Sequence, residues 1–192
     1  MTHTNTSMRT RLAELLLEKS YLEGSFVLTS GQQSDYYFDC KQTALHPEGG
    51  WLIGNLCLDI IARHGGIQGV GGMTLGADPL VSAVSVLSQV RNMPLPGFIV
   101  RKTSKGHGTN QYLEGLKNFS PGDQVCMLED VVTTGGSLIT ACKRVEDAGL
   151  KVAQVICVLD REQGGADALA LEGYTLEALF TRASLLQEGH FA

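Results

Sequence analysis

Asp123-Gln124-Val125-Cys126-Met127-Leu128-Glu129-Asp130-Val131-Val132-Thr133-Thr134-Gly135-Gly136-Ser137-Leu138-Ile139-Thr140-Ala141 is the stretch on which the reading of this chain turns. Residues 125–128 are an unbroken apolar run with a β-branched start, preceded by the turn-forming Ser120-Pro121-Gly122-Asp123, which predicts a strand buried on both faces. Glu129 and Asp130 stand where that strand should surface, at the carboxyl edge where open α/β sheets bind ligands. Small residues and hydroxyls follow, and then Leu138, Ile139, Ala141, Cys142 and Val145 recur at helical spacing. Small residues let backbone N–H groups wrap a phosphate, and the helix N-terminus adds partial positive charge. The stretch thus offers one surface for a phosphate and another, acidic, for hydroxyls or a metal ion, as a sugar phosphate requires. No Gly-Lys-Ser/Thr follows the glycines, so an ATP-binding P-loop is not supported. The plainer alternative is a strand ending in a polar turn with Ser137 as helix N-cap, which leaves the adjacent acids without a purpose.

Working outward, a strand over residues 96–100 runs into Arg101-Lys102-Thr103-Ser104-Lys105-Gly106-His107-Gly108-Thr109-Asn110. Three fixed cations and one imidazole fall within seven residues of a chain whose net charge is −5. A segment with so little apolar surface reads as mobile, either a solvated basic loop or a lid that closes on a polyanion. Earlier, a Gly-rich strand over 68–74, the loop Leu75-Gly76-Ala77-Asp78-Pro79 and a helix over 80–90 repeat the arrangement of a phosphate site. Later, an apolar strand over 151–159 ends in Asp160-Arg161-Glu162, placing charged side chains on the ligand side. Arg161 either pairs with a neighbouring acid or serves as a two-pronged donor to a planar anion.

The remaining segments frame these. Residues 1–7 are polar and read as disordered, and 9–19 as an amphipathic helix. Residues 26–39 read as two short strands joined by a Ser/Gly/Gln turn, where Tyr36 and Tyr37 also suit a stacked planar heterocycle. A helix with Pro47 at its start runs over 46–64 until Gly65-Gly66 ends it, with Leu52, Ile53, Leu56, Ile60 and Ile61 as its buried stripe. A short strand over 112–116 precedes the opening stretch. After it come a helix, a short strand near 174–176 and a last amphipathic helix.

With 192 residues the chain fits one domain. Its acidic balance implies no general surface for nucleic acid. The five cysteines are scattered, none in Cys-x-x-Cys, and read as reduced core residues. No signal-peptide region or apolar run of roughly 18 residues is present, so the expected location is the cytoplasm, with no membrane partner.

The opening stretch resembles the phosphoribosyl-diphosphate fingerprint of the type I phosphoribosyltransferases: two acids after a strand, then Thr-Thr-Gly-Gly-Ser opening a helix. Arg-Lys-x-x-Lys-Gly-His-Gly resembles the catalytic loop of the orotate phosphoribosyltransferases, and Ser-Gly-x-x-Ser-x-Tyr-Tyr their N-terminal hood. The resemblance covers roughly residues 21–185. It implies an α/β fold with a mostly parallel central sheet flanked by helices, a hood from about 8–45 and a core from about 46–192. It implies transfer of the 5-phosphoribosyl group from phosphoribosyl diphosphate to orotate in pyrimidine biosynthesis, with Mg²⁺ and no side chain assigned as a direct metal ligand. Lys105, His107 and Asp130 become the catalytic candidates. Arg101, Lys102, Lys105, His107, Glu129, Asp130, Val131, Val132, Thr133, Thr134, Gly135, Gly136 and Ser137 become the phosphoribosyl diphosphate site, the acids on the ribose hydroxyls and the loop from about Val131 to Ser137 on the 5′-phosphate. Thr133, Arg161, Tyr36 and Tyr37 become the orotate site, and Gly76, Ala77 and Asp78 the pyrophosphate loop. The working unit is a homodimer whose basic loop reaches the neighbouring subunit. The chain departs from many members in having Thr29 rather than Lys before the Ser-Gly, and no Lys between Lys41 and Lys102. A purine phosphoribosyltransferase or a regulator that senses phosphoribosyl diphosphate would share the opening stretch but not the Arg-Lys-x-x-Lys-Gly-His-Gly run.

Overall fold

Apolar residues on both faces of Gln124–Val132 place this strand, β6, near the middle of a six-stranded sheet. The computed structural model describes residues 5–27, 33–104 and 112–189. The sheet order is β5-β4-β3-β6-β7-β8, from β3 (Gly69–Met73), β4 (Gly97–Val100), β5 (Leu113–Glu114), β7 (Lys151–Asp160) and β8 (Leu176–Thr181). All neighbours are parallel except the edge strand β5, which runs antiparallel to β4. The mostly parallel sheet flanked by helices is therefore present.

Side chains alternate across β6. Cys126 and Leu128 face a cluster formed with Leu12, Leu15 and Leu16 of α1 (Asn5–Lys19), the buried stripe of α3 (Pro47–His64) and Leu80, Val81 and Val84 of α4 (Asp78–Val90). Val125 and Met127 face Leu138, Ala141, Cys142 and Val145 of α5 (Gly136–Asp147) and Leu169 of α6 (Gly165–Leu171). The result is three layers, helix, sheet and helix. The five cysteines are free and buried, as the sequence predicts. No helix among the described residues is long and apolar enough to cross a membrane.

The strand order reverses beside β3: the chain passes from β3 through α4 to β4 on one side, then returns to β6 on the other. This switch point leaves a crevice at the carboxyl ends of β3 and β6. β3 has room for almost no side chains, because a Cβ on Gly71 would meet the Phe98 ring and one on Gly72 would meet Leu128 O and Ala77 Cβ.

β1 (Tyr21–Val27) and β2 (Gln33–Phe38) form a separate antiparallel hairpin, with the expected turn at 28–32 lying outside the described residues. The one-turn helix α2 (Lys41–Ala44) joins the hairpin to α3. Helix α7 (Arg182–Gly189) closes the chain.

Several boundaries differ from the sequence reading. Helix α1 begins at Asn5, so residues 5–7 belong to it rather than to a disordered tail. β6 continues four residues beyond 128, because β7 is long enough to pair with it as far as Val132↔Asp160. Both acids therefore lie inside the strand, and the loop expected from about Val131 starts at Thr133. β8 lies at Leu176–Thr181, not near 174–176, where Tyr174 is instead a buried aromatic of the second cluster. The strand expected over 112–116 shrinks to Leu113–Glu114 before a 3₁₀ turn at Leu116–Asn118.

Candidate functional site

The crevice at the switch point is a cleft of about 370 Å³. Glu129 and Asp130 form part of its lining, with Ser137 from the start of α5, Lys102 from the end of β4, the turn Met73-Thr74-Leu75-Gly76 and Lys41. Elements far apart in sequence thus deliver two acids, two cations and two hydroxyl side chains to one place.

The two acids differ. Glu129 is 8% exposed, and burial, reinforced by the charge of Asp130, pushes its carboxyl well above the usual carboxylate range. Burial thus disfavours the charged form of Glu129 relative to the protonated one. Asp130 is more open: its Oδ1 accepts the Val131 N–H at 2.8 Å, and its Oδ2 lies 3.8 Å from Lys41 Nζ. The β3–α4 turn passes close to it, since a Cβ on Gly76 would stand 2.5 Å from Asp130 Oδ1. Glycine is what lets that backbone approach. Thr74 Oγ1 donates to Asp78 Oδ2 at 2.8 Å, fixing the turn, and Ala77 is buried behind it.

The phosphate turn is built as an open cradle. Gly135 has φ 81° and occupies the N-cap position of α5 without any side-chain cap, so Ser137 is not the cap. A Cβ on Gly165 would stand 2.5 Å from Thr133 O, which lets α6 pack directly behind the turn. The α5 N-terminus and the hydroxyls of Thr133, Thr134 and Ser137 together present donors suited to a phosphate. Val131 and Val132 contribute backbone within β6, and the Val132 carbonyl accepts the Arg161 N–H at 2.9 Å.

Arg161 sits at the end of β7 and is 8% exposed. Its Nε donates to the Tyr36 hydroxyl at 2.6 Å and its Nη2 to Ser34 Oγ at 3.1 Å, so the guanidinium ties the hairpin to the sheet. It pairs with neither neighbouring acid: Asp160 Oδ1 accepts from the Glu162 N–H. Tyr36 is buried, stacked on Tyr21 at 5.2 Å, with the Arg161 and Arg182 guanidinium carbons 4.4 and 4.2 Å from its ring centroid. Tyr36 is therefore occupied by its own neighbours, whereas Tyr37 is 43% exposed beside Phe26.

Of the basic run, Lys102 lines the cleft, while Arg101 reaches Glu114 at 3.1 Å. Lys105 and His107 lie outside the described residues. The two stems of this run are joined: Arg101 N–H donates to Tyr112 O at 2.7 Å. Arg144 of α5 donates to the carbonyls of Arg101 and Lys102, at 2.7 and 3.3 Å, and stacks on Tyr112 at 3.9 Å. The sequence reading did not single out Lys41, Arg144 or Arg182 as site residues. Only Lys41 carried a signal, as a cation just after the hairpin.

A Phosphoribosyl transferase domain model matches residues 76–176. An orotate phosphoribosyltransferase of a Nostoc species is 47% identical over 95% of this chain and 87% of its own length. One from a Synechocystis species is 44% identical over 94% of this chain and 89% of its own. The crystal structure of Mycobacterium tuberculosis orotate phosphoribosyltransferase in complex with 5-phospho-α-D-ribosyl 1-diphosphate superposes with a TM-score of 0.76 at 34% identity, covering 93% of this chain and 98% of that one. Identity of this order along nearly the whole length, on one sheet order and one cleft, leads to a single assignment: the chain belongs to the orotate phosphoribosyltransferase family.

Proposed function

We propose that this protein transfers the 5-phosphoribosyl group of phosphoribosyl diphosphate to orotate, giving orotidine 5′-monophosphate and pyrophosphate. The observation that carries the reading is the convergence of Glu129, Asp130, Ser137 at the start of α5, Lys41, Lys102 and the Thr74–Gly76 turn on one cleft. In the reaction the anomeric carbon–oxygen bond breaks, its electron pair leaving with diphosphate. A bond then joins that carbon to a ring nitrogen of orotate, which gives up its proton.

Each group has a part. The turn from Thr133 to Ser137 and the α5 N-terminus hold the 5′-phosphate. Glu129 and Asp130 receive the ribose hydroxyls, Glu129 able to donate as well as accept while it keeps its proton. Asp130 then lies beneath a ring that becomes cationic. Lys102, with Arg101, Lys105 and His107 of the basic run, stabilises the leaving diphosphate. Among the described residues no group of three or more His, Cys, Asp or Glu side chains is gathered to cage a metal. That donor set fits a Mg²⁺ held mainly by substrate oxygens and water, with the Asp130 and Glu129 carboxyls available to those waters. Bound there, the ion would neutralise charge on the leaving group.

Arg161, with Thr133 just past the end of β6, orients the base, and Tyr37 offers it an exposed ring. Replacing Arg161 by Ala should raise the KM for orotate about tenfold or more while the affinity for phosphoribosyl diphosphate stays within about twofold, as for a lost charge-assisted hydrogen bond. Steady-state kinetics with each substrate varied in turn decides it, and an unchanged orotate KM would remove Arg161 from the base site.

The working unit we infer is a homodimer in the cytoplasm. Supporting it, Leu45, Trp51, Leu75 and Val86 are exposed around an apolar groove of about 760 Å³ beside the cleft, and a face of that kind suits a second copy of the chain. The function itself is tested by the absorbance change on orotate consumption with phosphoribosyl diphosphate and Mg²⁺, run beside adenine, hypoxanthine and uracil. Turnover of orotate alone is expected; its absence would overturn the reading.

A further inference from the structure

The turn at the end of β3 stands where a leaving diphosphate would lie, yet Thr74-Leu75-Gly76-Ala77-Asp78 carries no cation of its own. The cation that reaches it comes from another part of the chain. Lys41, first residue of α2, lines the same cleft as Thr74, Leu75 and Gly76. Its Nζ is 2.7 Å from Asp39 Oδ1 and 3.8 Å from Asp130 Oδ2.

We propose that Lys41 is a substrate-contacting residue that supplies the positive charge for the diphosphate at the Thr74–Gly76 turn. This rests on the phosphoribosyl transfer proposed above.

Three features of the geometry support it. First, the ammonium has three donors, and the hydrogen bond to Asp39 uses one. Asp130 at 3.8 Å lies beyond hydrogen-bond length, so donors remain for an anion entering the cleft. Second, the stem of Lys41 is fixed: its backbone N–H donates to Asp39 Oδ1 at 3.2 Å, and the other carboxylate oxygen accepts from Gln42 Nε2 at 3.2 Å. Asp39 is thereby a positioning residue, holding the lysine at the edge of the cleft. Third, a surface ion pair explains little of this arrangement, because Lys41 stands between two carboxylates on different elements, one of them at the ribose end of the cleft. The neighbouring carboxylates, Asp39 foremost, hold the ammonium above its usual range, so it stays charged throughout the neutral region.

Lys41 also faces Lys102 across the same cleft. An acidic site without ligand thus carries one cation from the hairpin side and one from the β4 side, and a diphosphate between them would be gripped from both. Asp130 and the diphosphate then share Lys41, which links the ribose end of the site to the leaving-group end.

The test is pyrophosphate affinity, measured by calorimetry and as product inhibition, in Lys41→Met and Lys41→Arg. Ribose 5-phosphate serves as the comparison ligand, and thermal unfolding as the check on folding. For Lys41→Met we expect pyrophosphate to bind roughly tenfold or more weakly and kcat to fall, with ribose 5-phosphate affinity and orotate KM within about twofold of the unchanged protein. Lys41→Arg should restore most of the pyrophosphate affinity, and Asp39→Asn should lose part of it with Lys41 intact. Pyrophosphate affinity unchanged in a folded Lys41→Met, or a loss confined to orotate, would overturn the proposal. An unchanged protein that does not turn over orotate would instead overturn the function above, and the direct pyrophosphate measurement separates the two.

Discussion

Lys105→Ala should lower kcat by on the order of 10²-fold or more, the cost of removing a donor that serves a developing anion. Lys102 lines the cleft. Lys105 follows three residues later, at most about 11 Å of extended chain, and its own side chain adds reach. The glycines on either side of His107 leave that run little apolar surface to dock on its own. Its cations therefore have a polyanion as their natural partner, and the loss should fall on kcat more than on the KM for orotate. Thermal unfolding should be nearly unchanged, as for a charged residue in a polar stretch of sequence. Turnover at the unaltered rate would remove Lys105 from the leaving-group site.

Asp130→Asn should have an effect of similar size, also on the order of 10²-fold in kcat/KM, because the negative charge beneath the developing ribosyl cation is lost. Asn keeps an oxygen able to accept the Val131 N–H, so the backbone there has no reason to move. Glu129→Gln should be the milder change, since burial already favours a neutral group at that position. Steady-state kinetics on both variants, with unfolding curves alongside, makes the comparison; equal losses at the two positions would refute the division of labour. The two crippled proteins also test the shared loop. If the basic run serves the partner subunit, mixing Lys105→Ala with Asp130→Asn rebuilds one intact site in each mixed dimer. Activity should then recover to about a quarter of the unaltered level at equal mixing. If the run serves its own subunit, the mixture stays as inactive as its components.

The individual strands and helices were legible because hydrophobic period and turn chemistry report them directly, whereas the strand order that makes the switch point was not. The run 125–128 marked a central strand, and Gly65-Gly66 marked a helix end where Gly65 has φ 73°. What sequence could not show was pairing length. Nothing within Glu129-Asp130-Val131-Val132 says that β7 extends far enough to keep them in the sheet. The acids drew attention by type, but their inequality is a matter of burial, which depends on neighbours from other elements. Tyr36 illustrates the same limit: its place beside a polar turn was legible, but its packing against Tyr21, Arg161 and Arg182 depends on other elements, the two arginines far away in sequence. Lys41 escaped assignment for the converse reason, since its importance comes from Asp130 and Thr74–Gly76, neither near it in sequence.

The joined stems of the basic run carry one more consequence, in the currency of chain entropy. Arg101 and Tyr112 are hydrogen-bonded to each other, and Arg144 fastens both to α5, the helix that follows the hydroxyl and glycine turn. Bringing two ends of a chain together costs free energy that grows slowly with the number of residues between them. Here that cost is met once, when the protein folds. Whatever ordering the residues between the stems undergo around a substrate, binding does not have to close the ring again, and more of the interaction energy is left to act on the leaving group.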